Sequence, residues 1–185
     1  MRFLLGATAA ASLVGASACE ESKRGQLFRT PSSSMEPTLH CAQPGSGCEA
    51  DEEDLVRVRP DSTPERGDIV AFRVPEAGVV ACGGSPGSGE FVFVNRVIGL
   101  PGEEWAEKKG YIYINGELLS EPYLEESRRD VETIPSHKIP AASYLILGDN
   151  RSASCDSRRW GPVPRKNVIG GVYLILRGDE EIEVG

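Results

Sequence analysis

Short runs of apolar residues, most no longer than six, punctuate this chain. Leu55-Val56-Arg57-Val58 alternates apolar with polar, while Ile69-Val70-Ala71-Phe72-Arg73-Val74 and Phe91-Val92-Phe93-Val94, continuing through Val97-Ile98, are nearly continuous. Alternation of period two places side chains on opposite faces of a strand, and short apolar runs bounded by turn residues fit strands buried on both faces. Tyr111-Ile112-Tyr113-Ile114 runs into Asn115-Gly116 and then Glu117-Leu118-Leu119. Asn-Gly supplies the two positive φ angles of a two-residue hairpin turn, so a hairpin is predicted there. Tyr144 to Leu147 and Val172 to Leu176 are two further apolar runs next to glycines. No stretch after residue 20 holds a 3.6-residue period over three turns, so the body is predicted to be mainly β. The glycine-rich Gly83 to Gly89 segment lacks the Gly-Lys-Ser/Thr ending of a phosphate cradle and reads as a connection.

Composition narrows this further. The chain has 185 residues, the size of one domain with additions. Its 21 Gly and 13 Pro are scattered without a collagen-like period, as tight turns between strands require. Acidic residues outnumber basic ones by 28 to 20, for a net charge of -8, and the dense charge runs, Glu49 to Asp54 and Asp179 to Glu183, are acidic. A phosphate-backbone binder needs a basic stripe, so nucleic acid is not an expected partner.

The N-terminus sets the expected compartment. Arg2 precedes an apolar stretch, Phe3 to Ala18, which ends in Ala16-Ser17-Ala18-Cys19. Residues 1–19 read as an export signal or anchor: the stretch is short of the about 20 residues that span a bilayer, and Ala16 and Ala18 fit the small-x-small pattern before a cleavage point. Three outcomes stay open: lipid modification of Cys19, retention as a short uncleaved anchor, or plain secretion. All three put the remainder outside the cytoplasm. Cys41, Cys48, Cys82 and Cys155 then form an even set in an oxidising compartment, with three possible pairings. The turn-rich segment between Cys41 and Cys48 favours joining those two, which leaves Cys82 for Cys155. A zinc site built from these cysteines and His40 is the alternative, but the spacing lacks C-x-x-C or H-x-x-x-H, and no metal or other cofactor is expected.

Four segments carry candidate chemistry. Pro31-Ser32-Ser33-Ser34-Met35-Glu36-Pro37-Thr38-Leu39 sets three hydroxyls before a proline-shaped turn, and taken alone it reads rather as a serine-rich linker. Arg66-Gly67-Asp68-Ile69-Val70-Ala71-Phe72 follows, then Asn95-Arg96-Val97-Ile98-Gly99-Leu100-Pro101-Gly102-Glu103, then Gly148-Asp149-Asn150-Arg151 trailed by Ser154-Cys155-Asp156-Ser157-Arg158. In this order they resemble the four sequence boxes of bacterial type I signal peptidases, membrane-bound serine proteases that remove export signals. The resemblance covers most of the chain after residue 30.

It implies an antiparallel β catalytic domain of signal-peptidase type over residues 27–185, with a small β extension at about 104–142 that carries the Asn115-Gly116 hairpin. It implies Ser34 as the nucleophile and the Ser32 hydroxyl, with the Ser34 N–H, as the oxyanion hole. Ser154 matches the serine that orients the base, Asp156 and Arg158 match a supporting ion pair, Asp149 supports the site, and Met35 with Pro37-Thr38-Leu39 would hold the loop. Substrates would add as an extended strand, with small pockets that explain an Ala-x-Ala preference.

One position departs from the pattern. Where the family carries a lysine whose buried, neutral amine takes the serine's proton, this chain has Asn95. An amide cannot act as a general base near neutral pH. Either the chain binds signal-peptide-like segments without turnover, or His40, His137 or Lys138 supplies the base, or positioning alone sustains a slow reaction. The expected function is therefore a signal peptidase I-like serine endopeptidase cutting exported proteins after small-x-small sites, and its alternative is a catalytically impaired, peptide-binding homologue. Signal peptides of exported preproteins and the membrane surface are the expected partners, with Phe28 and Trp105 as candidate membrane contacts. The expected location is the extracytoplasmic face of the cell membrane.

Overall fold

Strand β3 (Ile69–Arg73) is buried on both faces and sits near the middle of the larger of two sheets. In the computed structural model, which describes residues 25–42, 47–60, 62–87 and 89–184, the chain is mainly antiparallel β. The expectations for residues 1–19, including Cys19, lie outside the described residues. Among the described residues no helix is long and apolar enough to cross a membrane.

In chain order the strands are β1 (Gln26–Arg29), β2 (Leu55–Pro60), β3, β4 (Val92–Gly99), β5 (Glu104–Lys108), β6 (Tyr111–Ile114), β7 (Glu117–Leu118), β8 (Ile134–Lys138), β9 (Ser143–Leu147), β10 (Val163–Pro164), β11 (Val168–Arg177) and β12 (Glu180–Glu183). Two short helices, α1 (Glu76–Ala81) and α2 (Ser157–Trp160), lie between them. The larger sheet runs β1-β2-β11-β3-β4-β9-β10, with β12 paired to β11, and the smaller runs β7-β6-β5-β8.

Each apolar run read from the sequence after residue 50 lies in or overlaps a strand. The Asn115-Gly116 turn joins β6 to β7 with φ of +51° and +86°, the left-handed pair that such a turn needs. The pattern did not expose β1, β5, β8, β10 or β12. β8 reads Ile-Pro-Ser-His-Lys and is mostly exposed; it is a strand because β5 pairs with it, Glu104 opposite Lys138 and Trp105 opposite His137.

Strand alternation divides the core. Ile69 and Ala71 pack with Val92 and Val94 beside Met35, Leu39, Val56 and Val58 on one face, while Val70 and Phe72 pack with Phe93, Val97, Tyr144 and Ile146 on the other. A third cluster of Ile98, Leu145 and Leu147 with Trp105, Ile112, Ile114 and Ile139 binds the two sheets together. Trp105 is 3% exposed and belongs to that cluster, and Phe28 packs against the first, so Trp105 is a core residue rather than a membrane contact.

Candidate active site

The serine segment is a tight turn hung from the core. Ser33–Met35 forms a 3-10 turn, Leu39 N–H donates to the Met35 carbonyl at 2.9 Å, and the Met35 and Leu39 side chains anchor the turn in the first apolar cluster. Ser32 and Ser34 stay accessible, their hydroxyl oxygens 3.1 Å apart. Glu36, fully buried, ties the chain that follows: its carboxylate accepts the N–H groups of Cys41 (3.0 Å) and Glu49 (3.1 Å) and meets His40 Nδ1 at 2.8 Å. A Cys41–Cys48 disulfide closes this loop, and a second joins Cys82 to Cys155. With the four thiols paired, the zinc alternative has no thiolate ligands.

The four sequence segments meet at one buried ion pair. Arg96 donates to Asp149 through Nε at 2.9 Å and Nη2 at 2.6 Å, and to the Gly67 carbonyl through Nη1 at 2.8 Å. Thr38 Oγ1 donates to the same Asp149 carboxylate at 2.6 Å, and the Tyr123 ring lies 4.0 Å from the Arg96 guanidinium carbon. Burial works against the Arg96 charge, but the hydrogen bond and charge of Asp149 outweigh it and raise the arginine's pKa. Asn150 fastens the serine turn directly: its N–H donates to the Ser34 carbonyl at 2.9 Å and its Nδ2 to the Ser33 carbonyl at 3.0 Å.

Ser154 and the serine turn converge on Gly148, which follows directly on β9, while Asn95 precedes Arg96 on β4, the residue that faces Leu147. A Cβ on Gly148 would lie far inside van der Waals contact of both the Ser154 Oγ and the Ser34 carbonyl oxygen, so only glycine fits between them. Asn95 is 1% exposed with neither amide atom hydrogen-bonded, and the buried Ser154 Oγ likewise has no partner. Buried polar groups are nearly always paired, so two such side chains mark a region where folding stability was not the sole requirement. Asn95 has hydrogen-bonding capacity here and no titratable proton.

Asp156 holds the segment after Ser154. It caps α2 by accepting the Arg158 N–H at 3.1 Å, accepts the Gly148 N–H at 3.2 Å, and is paired with the Arg158 guanidinium. Arg158 also pairs with Asp130 and donates to the Arg151 carbonyl. Glu107 of β5 lies 3.6 Å from the same guanidinium; burial pushes its carboxyl up to about 7, against the pull of Arg158.

A cleft of about 260 Å³ opens beside Ser34, walled by residues 29–32 on one side and 91–94 on the other, with Met35 in its lining. The β9 pairing of β4 begins only at Arg96, so one edge of the Val92–Val94 backbone faces outward. The three candidate replacement bases lie elsewhere: His40 is engaged with Glu36, and His137 and Lys138 are exposed on β8 of the smaller sheet.

The sequence profile of the family described as "Signal peptidase, peptidase S26" matches residues 7–176. The chain belongs to that family. It is 47% identical over 107 residues to the signal peptidase I of Leptolyngbya laminosa, across 58% of this chain and 50% of that one. Similarity to the probable signal peptidase I-2 of Synechocystis is 37% over 144 residues, across 78% and 59%, and to the signal peptidase I of Bacillus licheniformis 35% over 161 residues, across 80% and 75%. The chain thus spans about half to six tenths of the length of the first two relatives. A crystal structure of a signal peptidase I from Enterococcus faecalis V583 is 32% identical, with a TM-score of 0.46 over 60% of this chain and 97% of that one.

In this member of the signal peptidase family the structure brings Ser32, Ser34, Asn95, Ser154, Asp149, Asp156 and Arg158 into one connected region. Asn150, Arg96, Gly148 and Glu36 join the site without having been singled out in the sequence. All four lie inside motifs already quoted, but Asn150 and Gly148 matter through the serine turn, and Arg96 through Gly67 and Asp149, contacts that spacing within a motif does not reveal.

Proposed function

We propose that the chain is a signal peptidase I-like serine endopeptidase that acts on exported proteins after small-x-small sites. Ser34 attacks the scissile carbonyl. Ser32 and the Ser34 N–H meet the oxyanion, a class of interaction worth about 3–4 kcal/mol per donor because the charge appears only in the transition state. Ser154 and Asn95 stand where family members orient and hold the base, and the protein works on the outer face of the cell membrane. The observation that carries this reading is the cleft beside Ser34, whose walls offer an outward backbone edge at Val92–Val94 to a peptide added as a strand.

A second reading has its own observation. Asn95 is buried and cannot accept a proton, so the site binds signal-peptide-like segments with little or no turnover. Loss of one member of a catalytic group leaves about 10³–10⁴-fold acceleration over water from the oxyanion hole and binding.

Incubating the full chain with an Ala-x-Ala peptide, beside Ser34→Ala and Asn95→Lys, separates the two. Cleavage by wild type that Ser34→Ala abolishes supports the peptidase. Saturable binding without cleavage, converted to cleavage by Asn95→Lys, supports the binder. Equal affinity for a peptide with bulky residues in place of the alanines sinks both.

A further inference from the structure

Each of the two segments that carry the candidate serines is stapled by its own disulfide. Cys41–Cys48 closes the loop behind Ser34, and Cys82–Cys155 fastens the residue next to Ser154. The second staple has the more demanding task. The Ser154 hydroxyl is buried and has no hydrogen-bond partner, so its own side chain does nothing to fix its place. What fixes it is the backbone: Ser154 N–H donates to the Asn150 carbonyl at 2.8 Å on one side, and Cys155 and Asp156 follow on the other.

Cys82 is the C-cap of α1, its N–H donating to the Gly78 carbonyl at 3.0 Å. Gly78 in turn packs so tightly on the Trp160 indole of α2 that a Cβ there would not fit. Asp156, one residue past Cys155, caps that same α2 and holds the Gly148 N–H. The disulfide therefore closes a ring through α1, α2 and the segment 150–156, with Ser154 inside it.

We propose that the Cys82–Cys155 disulfide is a positioning element for Ser154, and that the peptide-handling site is fully assembled only in the oxidised protein. Cys82 and Cys155 are both half-exposed, whereas in the other disulfide Cys48 is half-exposed and Cys41 fully buried, so a dithiol can approach either residue of Cys82–Cys155 but only one of Cys41–Cys48. A thiolate of the reductant attacks one sulfur to give a mixed disulfide, and its second thiol displaces the protein. Cys82 and Cys155 take up two electrons and two protons, and the dithiol leaves as its own disulfide. Oxidation by a disulfide-bearing partner reverses the step. In a reducing compartment Ser154 is thus held by hydrogen bonds alone, and the site tightens once the chain is in an oxidising one. The functional consequence rests on the peptide-handling reading above; the positioning itself does not.

Amide hydrogen exchange on the full-length protein tests it, comparing wild type with Cys82→Ala/Cys155→Ala and with Cys41→Ala/Cys48→Ala. Loss of the second disulfide should speed exchange at residues 148–156 by about tenfold or more while β3 and β4 exchange as before, since local opening need not involve the whole fold. Cys41→Ala/Cys48→Ala should leave 148–156 protected. Brief dithiol treatment of folded wild type should reproduce the first result, and reoxidation should reverse it, which also serves if the double variant does not fold. Where wild type cleaves an Ala-x-Ala peptide, the same loss should lower kcat with KM nearly unchanged. Exchange at 148–156 within about twofold of wild type after loss of Cys82–Cys155 overturns the proposal. A wild type that neither binds nor cleaves any peptide ends the peptide-handling reading, and the exchange result still decides the positioning role.

Discussion

The backbone N–H of Asn150 donates to the carbonyl oxygen of Ser34 across 116 positions of sequence, at 2.9 Å. With the Asn150 side chain on the Ser33 carbonyl, it makes the Gly-Asp-Asn-Arg segment the support on which the serine turn rests. The turn is then aimed from two directions: Met35 and Leu39 pull it into the core, and Asn150 and Asp149 hold it from the side through Ser33, Ser34 and Thr38.

Replacing Asn150 by Ala removes the side-chain bond and leaves the Ser33 carbonyl short of a partner. A neutral hydrogen bond of this kind contributes about 1 kcal/mol, which for a domain of this size lowers Tm by about 2–4 °C. Differential scanning calorimetry reads the shift, and peptide binding should weaken along with it.

A methyl group at Gly148 has nowhere to go. Gly148→Ala pushes Cβ against the Ser154 hydroxyl and the Ser34 carbonyl together, so the serine turn and the Ser154 segment must separate. Overpacking of this sort costs about 1–3 kcal/mol. Binding or cleavage of an Ala-x-Ala peptide should fall to background while circular dichroism shows the β fold retained; unchanged peptide handling would show that the two serines do not act through this contact.

The orphaned amide of Asn95 should be a stability liability. Asn95→Val removes two unpartnered buried polar atoms and installs a β-branched residue suited to β4, opposite Val70. Stability should rise by about 1–2 kcal/mol in urea unfolding, with no gain in peptide cleavage. A loss of stability would mean that the amide has partners in solution.

Glu107 makes stability fall as pH rises. Burial pushes its carboxyl from 4.5 up to about 7, with Arg158 opposing, so the folded protein holds this proton more tightly than the unfolded chain does. Stability from this group is complete below about 4.5, and declines as pH climbs through about 7. Glu107→Gln, which cannot ionise, should flatten this part of the pH profile and exceed wild type at pH above 7. A wild-type-minus-variant difference that stays constant from pH 4.5 to pH 8 would sink the assignment.

Local chemistry explains what could be read along the chain. Asn115-Gly116 specifies its hairpin through φ angles that two adjacent residues adopt by themselves, and Ile69 to Phe72 and Tyr144 to Leu147 declare themselves as strands because they are short apolar runs that include β-branched and aromatic residues. The Cys41–Cys48 link is likewise short-range, seven residues apart in sequence. The ordered serine, Arg-Gly-Asp, Asn-Arg-Val-Ile-Gly and Gly-Asp-Asn-Arg segments were enough to place the chain in its family.

Pairing between distant segments decided the rest. Glu107 reads as a surface charge and is fully buried, because Arg158 and Asp130 arrive beside it from other parts of the chain. β8 has no apolar signature and exists through its ladder with β5. That Gly148 stands between Ser154 and Ser34 follows from how the segment after β9 packs on the serine turn, and no local pattern encodes it. The amino-acid order thus set the strands, the turns and the inventory of reactive groups, since each depends on near neighbours. Folding alone decided which of those groups face one another, because that depends on strand register and on contacts whose partners lie 30 to 120 positions apart.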